Sequence, residues 1–212
     1  MITDILRVIG FSTLALGIVH EADGIQQKTF WLHNEGTEAV TLTQGYTSCG
    51  CTTIEFAKGE NLLPGDSTAV VLRFNPRGKV GEFTEIATVA YLPTDSVSVL
   101  PASKSRKVQM SLEGECIPSD ETLSRQYPIV ISPNLRLSTS RFDIGVMKVG
   151  TSRTRNVSVL HLDDANRKET IPITFSVTPD TPKGLQHIEH VLSTHDTTGK
   201  VDFKIILDVI VK

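Results

Sequence analysis

Cysteine is scarce in this chain of 212 residues: there are three, at positions 49, 51 and 116. An odd and small number excludes the disulfide scaffold that holds many small secreted domains together. No charge of one sign prevails either, since 21 Lys and Arg face 24 Asp and Glu for a formal net charge of −3. The balance is −4 up to residue 117 and +1 beyond it, so neither half carries the basic stripe of a nucleic-acid binder. Long apolar runs are missing as well. The nearest candidate, residues 1–19, is interrupted by Gly10, Ser12 and Thr13 and is too short to span a membrane. It does not read as an export signal, because Asp4 stands where a positive head belongs and no small-x-small site follows Val19. No Gly-x-Ser-x-Gly elbow, phosphate loop or His-Glu-x-x-His occurs. Arg77-Gly78-Lys79 lacks the glycine that would precede it in a phosphate loop and reads as a basic turn. No catalytic residue, metal or cofactor is expected, and the chain reads as a non-enzyme.

What is abundant is β-branched. Val, Ile and Thr make 61 of the 212 residues, a bias that suits pleated, half-buried surfaces. Apolar residues alternate with polar ones in Phe30 and Leu32, in Val70, Leu72 and Phe74, in Val108, Met110 and Leu112, and from Val201 to Val211. Turn signals such as Asn34-Glu35-Gly36, Pro64-Gly65-Asp66 and Asn75-Pro76-Arg77-Gly78 separate these runs. No amphipathic helix of three turns is evident. An internal repeat sets the organisation. Leu14-Ala15-Leu16-Gly17-Ile18 superposes on Phe142-Asp143-Ile144-Gly145-Val146 at an offset of 128, and Ile5-Leu6-Arg7-Val8 answers Asn134-Leu135-Arg136-Leu137. The expected architecture is all-β: two tandem immunoglobulin-like β-sandwich domains, residues 1–117 and 128–212, joined by a polar linker at 118–127.

The most specific string is Thr47-Ser48-Cys49-Gly50-Cys51-Thr52-Thr53. With Phe30-Trp-Leu-His-Asn34-Glu-Gly36, Leu63-Pro64-Gly65-Asp66 and the run from Val71 to Phe83, it resembles a family of uncharacterised bacterial immunoglobulin-like domains whose marker is Ser-Cys-Gly-Cys-Thr, over residues 14–113. The usual aromatic-Asp-Phe-Gly start of that family is Leu14-Ala15-Leu16-Gly17 here, while Phe142-Asp143-Ile144-Gly145 keeps the Asp. The resemblance implies a fold related to Hydin-type and major-sperm-protein-like domains, modules that bind or scaffold. It further implies a source among the Bacteroidetes and an extracytoplasmic location, periplasm or cell surface, with the export signal outside these 212 residues. The implied partner is a protein or glycan of the envelope. The marker residues Ser48, Cys49, Gly50, Cys51 and Thr52 carry no assigned role.

On their own chemistry, Cys49 and Cys51 admit several readings. Alternate strand residues share a face, so the two sulfurs come close if the segment is extended. They are then small buried hydrophobes, a labile redox disulfide, a copper(I) or zinc site completed by Cys116 or a histidine, or one of them is paired with Cys116. His187 and His190, by contrast, point to opposite faces of a strand and make poor paired ligands. Trp31 is sent outward by the alternation, beside Thr29 and His33, and is the candidate contact residue.

Overall fold

A computed structural model describes residues 5–96 and 105–212; Asp4, which argues against an export signal, lies outside the described residues. The chain is all-β and divides after Ile117 into two compact units, Met1–Ile117 and Pro118–Lys212. The first holds β1 (Leu6–Val8), β2 (Thr13–His20), β3 (Gln26–Asn34), β4 (Val40–Thr47), β5 (Thr52–Phe56), β6 (Asn61–Leu62), β7 (Ser67–Phe74), β8 (Gly81–Pro93) and β9 (Arg106–Ile117). They form two sheets in the orders β1-β3-β7-β5 and β2-β9-β8-β4-β6. The second unit holds α1 (Asp120–Gln126), β10 (Ile129–Ser132), β11 (Leu135–Leu137), β12 (Arg141–Met147), β13 (Ser152–His161), β14 (Arg167–Ser176), β15 (Gly184–Asp196) and β16 (Gly199–Val211). Its sheets run β10-β11-β13-β14 and β12-β16-β15. Each unit is an immunoglobulin-like β-sandwich.

The alternation along the sequence decides what each sandwich buries. In the first unit Phe30, Leu32, Val70, Leu72 and Phe74 from one sheet meet Leu42, Val89, Tyr91, Met110 and Leu112 from the other. Phe74 and Phe83 stack with ring centroids 4.2 Å apart, a contact worth about 1 kcal/mol beyond the area it buries. In the second unit Val157 and Val159 meet Phe203, Ile205, Leu207 and Val209 in the same way.

The two segments aligned at an offset of 128 occupy equivalent places. β2 runs parallel to β9 with a register shift between Ala15 and Gly17. β12 runs parallel to β16 with a shift between Asp143 and Gly145. Gly17 and Gly145 have φ of 70° and 75°, the left-handed region open to glycine at little cost, so each is the bulge residue of an edge strand. Asp143 accepts a hydrogen bond from the Gly145 amide at 2.7 Å. That gives the Phe-Asp-x-Gly aspartate a local structural role, one that Ala15 cannot play in the first unit. Gly114 of β9 lets the first bulge sit close: a Cβ there would lie 2.6 Å from the Gly17 carbonyl oxygen. Gly114→Ala is therefore expected to destabilise the first unit by about 1–2 kcal/mol, measurable as a lower midpoint of urea unfolding followed by Trp31 fluorescence.

Residues 118–127, read as a polar linker with room for a short turn of helix, hold such a turn. They carry the seven-residue helix α1, whose N-cap Ser119 accepts from the Thr122 amide at 3.3 Å. Thr122, Leu123 and Tyr127 are buried. A helix of two turns is too short to show a periodic apolar stripe, so the sequence marks only the place where it sits.

The second unit also holds a polar knot. Glu169 accepts from His161 Nε2 and from Thr194 Oγ1, both at 2.9 Å. Burial pushes its carboxyl up, but these two hydrogen bonds, with the charges of His161 and Arg167, outweigh it and hold the group below its ordinary value of 4.5. A carboxyl depressed in the folded state contributes stability above its unfolded value and loses it as pH falls through the folded one. Acid unfolding of the second unit should accordingly be shallower in Glu169→Gln than in the wild type when followed by circular dichroism below pH 4.5.

Candidate functional site

β4 ends at Thr47 in one sheet and β5 begins at Thr52 in the other, so Ser48, Cys49, Gly50 and Cys51 form the crossover between them. The crossover is tied on both sides. Ser48 exchanges backbone and side-chain bonds with β8: its amide donates to Ile86 O at 2.8 Å, and its hydroxyl accepts from Ile86 N at 2.9 Å. Thr47 Oγ1 donates to Cys49 O at 3.1 Å, and the Asn75 amide donates to Cys51 O at 2.8 Å. Thr52 is buried.

Cys49 and Cys51 are joined in a disulfide with their Cα atoms 5.3 Å apart. They meet because the chain turns between two strands. They are not alternate residues of one strand, as the spacing suggested. Both are half-buried, which sets aside the reading of two fully buried hydrophobes. Pairing with Cys116 is likewise corrected. Cys116 is a free, buried thiol near the Pro76 carbonyl, 3.7 Å away. Burial, helped by the charge of Glu21, pushes its pKa up to about 11, which suits an inert core residue. Gly50 is exposed, has no positive φ and has open space where a Cβ would sit; nothing in the structure explains glycine there.

Two further residues complete the site: Lys79, inside the Val71–Phe83 run but read there only as part of a basic turn, and Glu85, which no motif marks. Glu85 lies on the inward row of β8, between Phe83 and Ala87, and is 4% exposed. A carboxylate in that row is the signal that could have found it, because a charge is almost never buried without partners. Its partners come from the crossover and from the turn before β8. Lys79 Nζ donates to Oε1 at 2.6 Å and Ser48 Oγ donates to Oε2 at 2.8 Å. Cys51 Sγ lies 3.2 Å from Oε1. Lys79 itself comes from the turn read as merely basic, and its ammonium is 3.9 Å from Cys49 Sγ. The disulfide thus rests against a largely buried ion pair.

The metal readings find little footing. Cys49, Cys51 and Glu85 are the only group of three or more metal-type donors among the described residues; with the two sulfurs bonded to each other, neither offers a thiolate to a cation. No histidine joins them. His187 and His190 do lie on opposite faces of β15, the first exposed and bonded to Asp208, the second half-buried.

Trp31 sits apart from this cluster, on the outer face of β3. It is 51% exposed and stands opposite the small Ala69. The Ile9 amide donates to its carbonyl at 2.8 Å, bringing Ile9, itself 55% exposed, alongside.

Residues 10–100, which include Trp31 and the whole crossover, match a family described as protein of unknown function (DUF1573). No curated protein matches the chain. Among solved structures, a protein of unknown function from Porphyromonas gingivalis W83 aligns over 98% of this chain and all of its own, with 10% identity and a TM-score of 0.42. A PapD-like domain of human CEP192 covers 55% of this chain and 87% of its own at 14% identity and TM-score 0.41. The Vibrio cholerae VesB protease aligns with 52% of this chain at 15% identity and TM-score 0.41, and the chain spans about a third of that protease's length, 32%.

Proposed function

We propose that this chain is a non-enzymatic binding or structural module of the bacterial cell envelope, of the kind the resemblance assigns to Bacteroidetes, holding a protein or glycan partner on the outer face of β3. The observation that carries the reading is Trp31. A half-exposed indole standing over Ala69, with Ile9 beside it, is the large rigid apolar group that partner surfaces favour. The disulfide supports an extracytoplasmic location, because such bonds persist where the surroundings are oxidising. No helix of the described residues is long and apolar enough to cross a membrane. The test is capture from envelope extract, and on a glycan array, by the full chain against Trp31→Ala. Loss of about tenfold or more in the variant, with unchanged unfolding, supports the reading. Equal capture by both proteins removes the assignment to this face. Turnover of an ester or peptide substrate, abolished by one substitution, overturns the non-enzymatic reading.

A second reading is favoured by one specific observation: the Cys49–Cys51 disulfide lies in contact with the Lys79–Glu85 pair. A disulfide placed for structure alone has no need of a charged pair beneath it, whereas thiol chemistry is controlled by such neighbours. In this reading the pair is reversibly reduced by a dithiol, and copper(I) binding belongs to the reduced protein alone. Mass spectrometry after thiol trapping checks it: the folded chain should gain two alkyl groups after treatment with dithiothreitol, and a disulfide that stays closed in the folded protein removes the reading.

A further inference from the structure

We infer that the Cys-Gly-Cys pair is chemically polarised, with Cys49 the sulfur that exchanges with an external dithiol and Cys51 the inner sulfur that Glu85 holds as a protonated thiol. The inference rests on the thiol-exchange reading of the site and deepens it.

The environments of the two sulfurs differ in sign. Cys49 Sγ accepts the Cys51 amide at 3.0 Å and lies 3.9 Å from the Lys79 ammonium. A donor and a cation both favour negative charge at that sulfur. Cys51 packs against the hydrophobic core and lies 3.2 Å from a carboxylate oxygen of Glu85. A carboxylate at that distance repels a thiolate and accepts the S–H of a thiol. Glu85 has no freedom to turn away, because Ser48 and Lys79 occupy its two oxygens. Thr52 Oγ1 does not break the asymmetry, since it stands 3.7 Å from one sulfur and 4.0 Å from the other.

The exchange follows from these contacts. One thiolate of the dithiol attacks Cys49 Sγ, forming a mixed disulfide and breaking the Cys49–Cys51 bond. The released electron pair stays on Cys51, which takes a proton from the second thiol of the reagent and turns its new S–H toward Glu85. That second sulfur, now a thiolate, attacks the reagent sulfur of the mixed disulfide. The reagent closes into its own disulfide, and Cys49 leaves as a thiolate beside Lys79. The dithiol loses two electrons and the protein disulfide gains them. Of the two thiol protons, one ends on Cys51 and the other, given up when the attacking thiolate forms, goes to solvent.

The test uses the full chain, reduced with dithiothreitol and freed of it, then given a short pulse of limiting iodoacetamide at neutral pH before peptide mapping. Cys49 is expected to be alkylated about tenfold faster than Cys51, and Lys79→Gln should narrow the ratio. In parallel, Cys51→Ser should form a mixed disulfide with glutathione disulfide readily and Cys49→Ser should not. Equal rates, or faster reaction at Cys51, overturn the polarity while leaving reversible reduction in place. A disulfide that dithiothreitol does not open in the folded chain overturns both. Because the central measurement is made on the unaltered protein, a variant that fails to fold does not rescue the inference.

Discussion

Replacing Asn34 with alanine is expected to destabilise the first unit by about 3 kcal/mol, the largest loss predicted from any single polar side chain of this protein. Asn34 ends β3 and is 1% exposed. Its Nδ2 donates to Glu38 O at 2.9 Å and Leu62 O at 3.0 Å, and its Oδ1 accepts from Gly36 N at 3.0 Å. Its own backbone is engaged too, with the amide on Asp66 O and the carbonyl receiving Gly65 N. One residue therefore knits three chain segments: the turn after β3, the end of β6 and the Pro64-Gly65-Asp66 turn. Alanine leaves two carbonyls and an amide without partners in a place water reaches poorly, and each such group costs about 1–3 kcal/mol when unsatisfied. Partial relaxation keeps the total near the lower end of the sum. Urea unfolding followed by the fluorescence of Trp31, the single tryptophan, reads the effect directly. Asn34→Asp should be no better, because a carboxylate cannot donate to either carbonyl. An alanine variant within about 0.5 kcal/mol of wild type would show that these bonds do not hold the loops.

The second large effect is expected at Lys79. Lys79→Met should cost about 2 kcal/mol, because it leaves the Glu85 carboxylate buried without its countercharge. The figure is set below the usual cost of breaking a buried pair because the Lys79 side chain is 29% exposed, against 6% for Glu85. The informative comparison is the double variant Lys79→Met with Glu85→Met. Removing both charges restores an apolar inner row on β8 and should recover most of the loss, as buried pairs replaced by apolar residues commonly do. Additive losses in the double variant would mean that Glu85 contributes stability without Lys79, through Ser48 alone. The same set of proteins serves the thiol-trapping experiment, so stability and sulfur reactivity can be compared residue by residue.

The fold is largely legible in the sequence because strand alternation is a local property. Period two alone sends Phe30, Leu32, Val70, Leu72, Phe74, Val108, Met110 and Leu112 inward, and all are buried. The same rule sends Trp31 outward, and it is exposed. The bulge glycines are visible as a repeated Gly at matching positions, although their parallel pairing with β9 and β16 is not. Legibility fails where a feature is short or depends on distant partners. α1 reads as a linker with at most a short turn of helix, since its cap at Ser119 is a weak signal without a stripe behind it, and the burial of Leu123 and Tyr127 is not visible. The spacing of Cys49 and Cys51 makes them neighbours, but the turn that joins them and the exclusion of Cys116 come from the crossing of sheets.

By itself, then, the sequence determined the sheet faces and the β-sandwich class, because each is written in the pattern of adjacent residues. Only the tertiary structure decided what the Cys-Gly-Cys segment is set against. Glu85 is 34 positions from Cys51 and Lys79 is 30 from Cys49, and a charge lowered onto a sulfur across that distance is fixed by how β8 packs beneath the β4–β5 crossover. Chemistry at a site depends on distances through space, and those are set once the two sheets close over their common core.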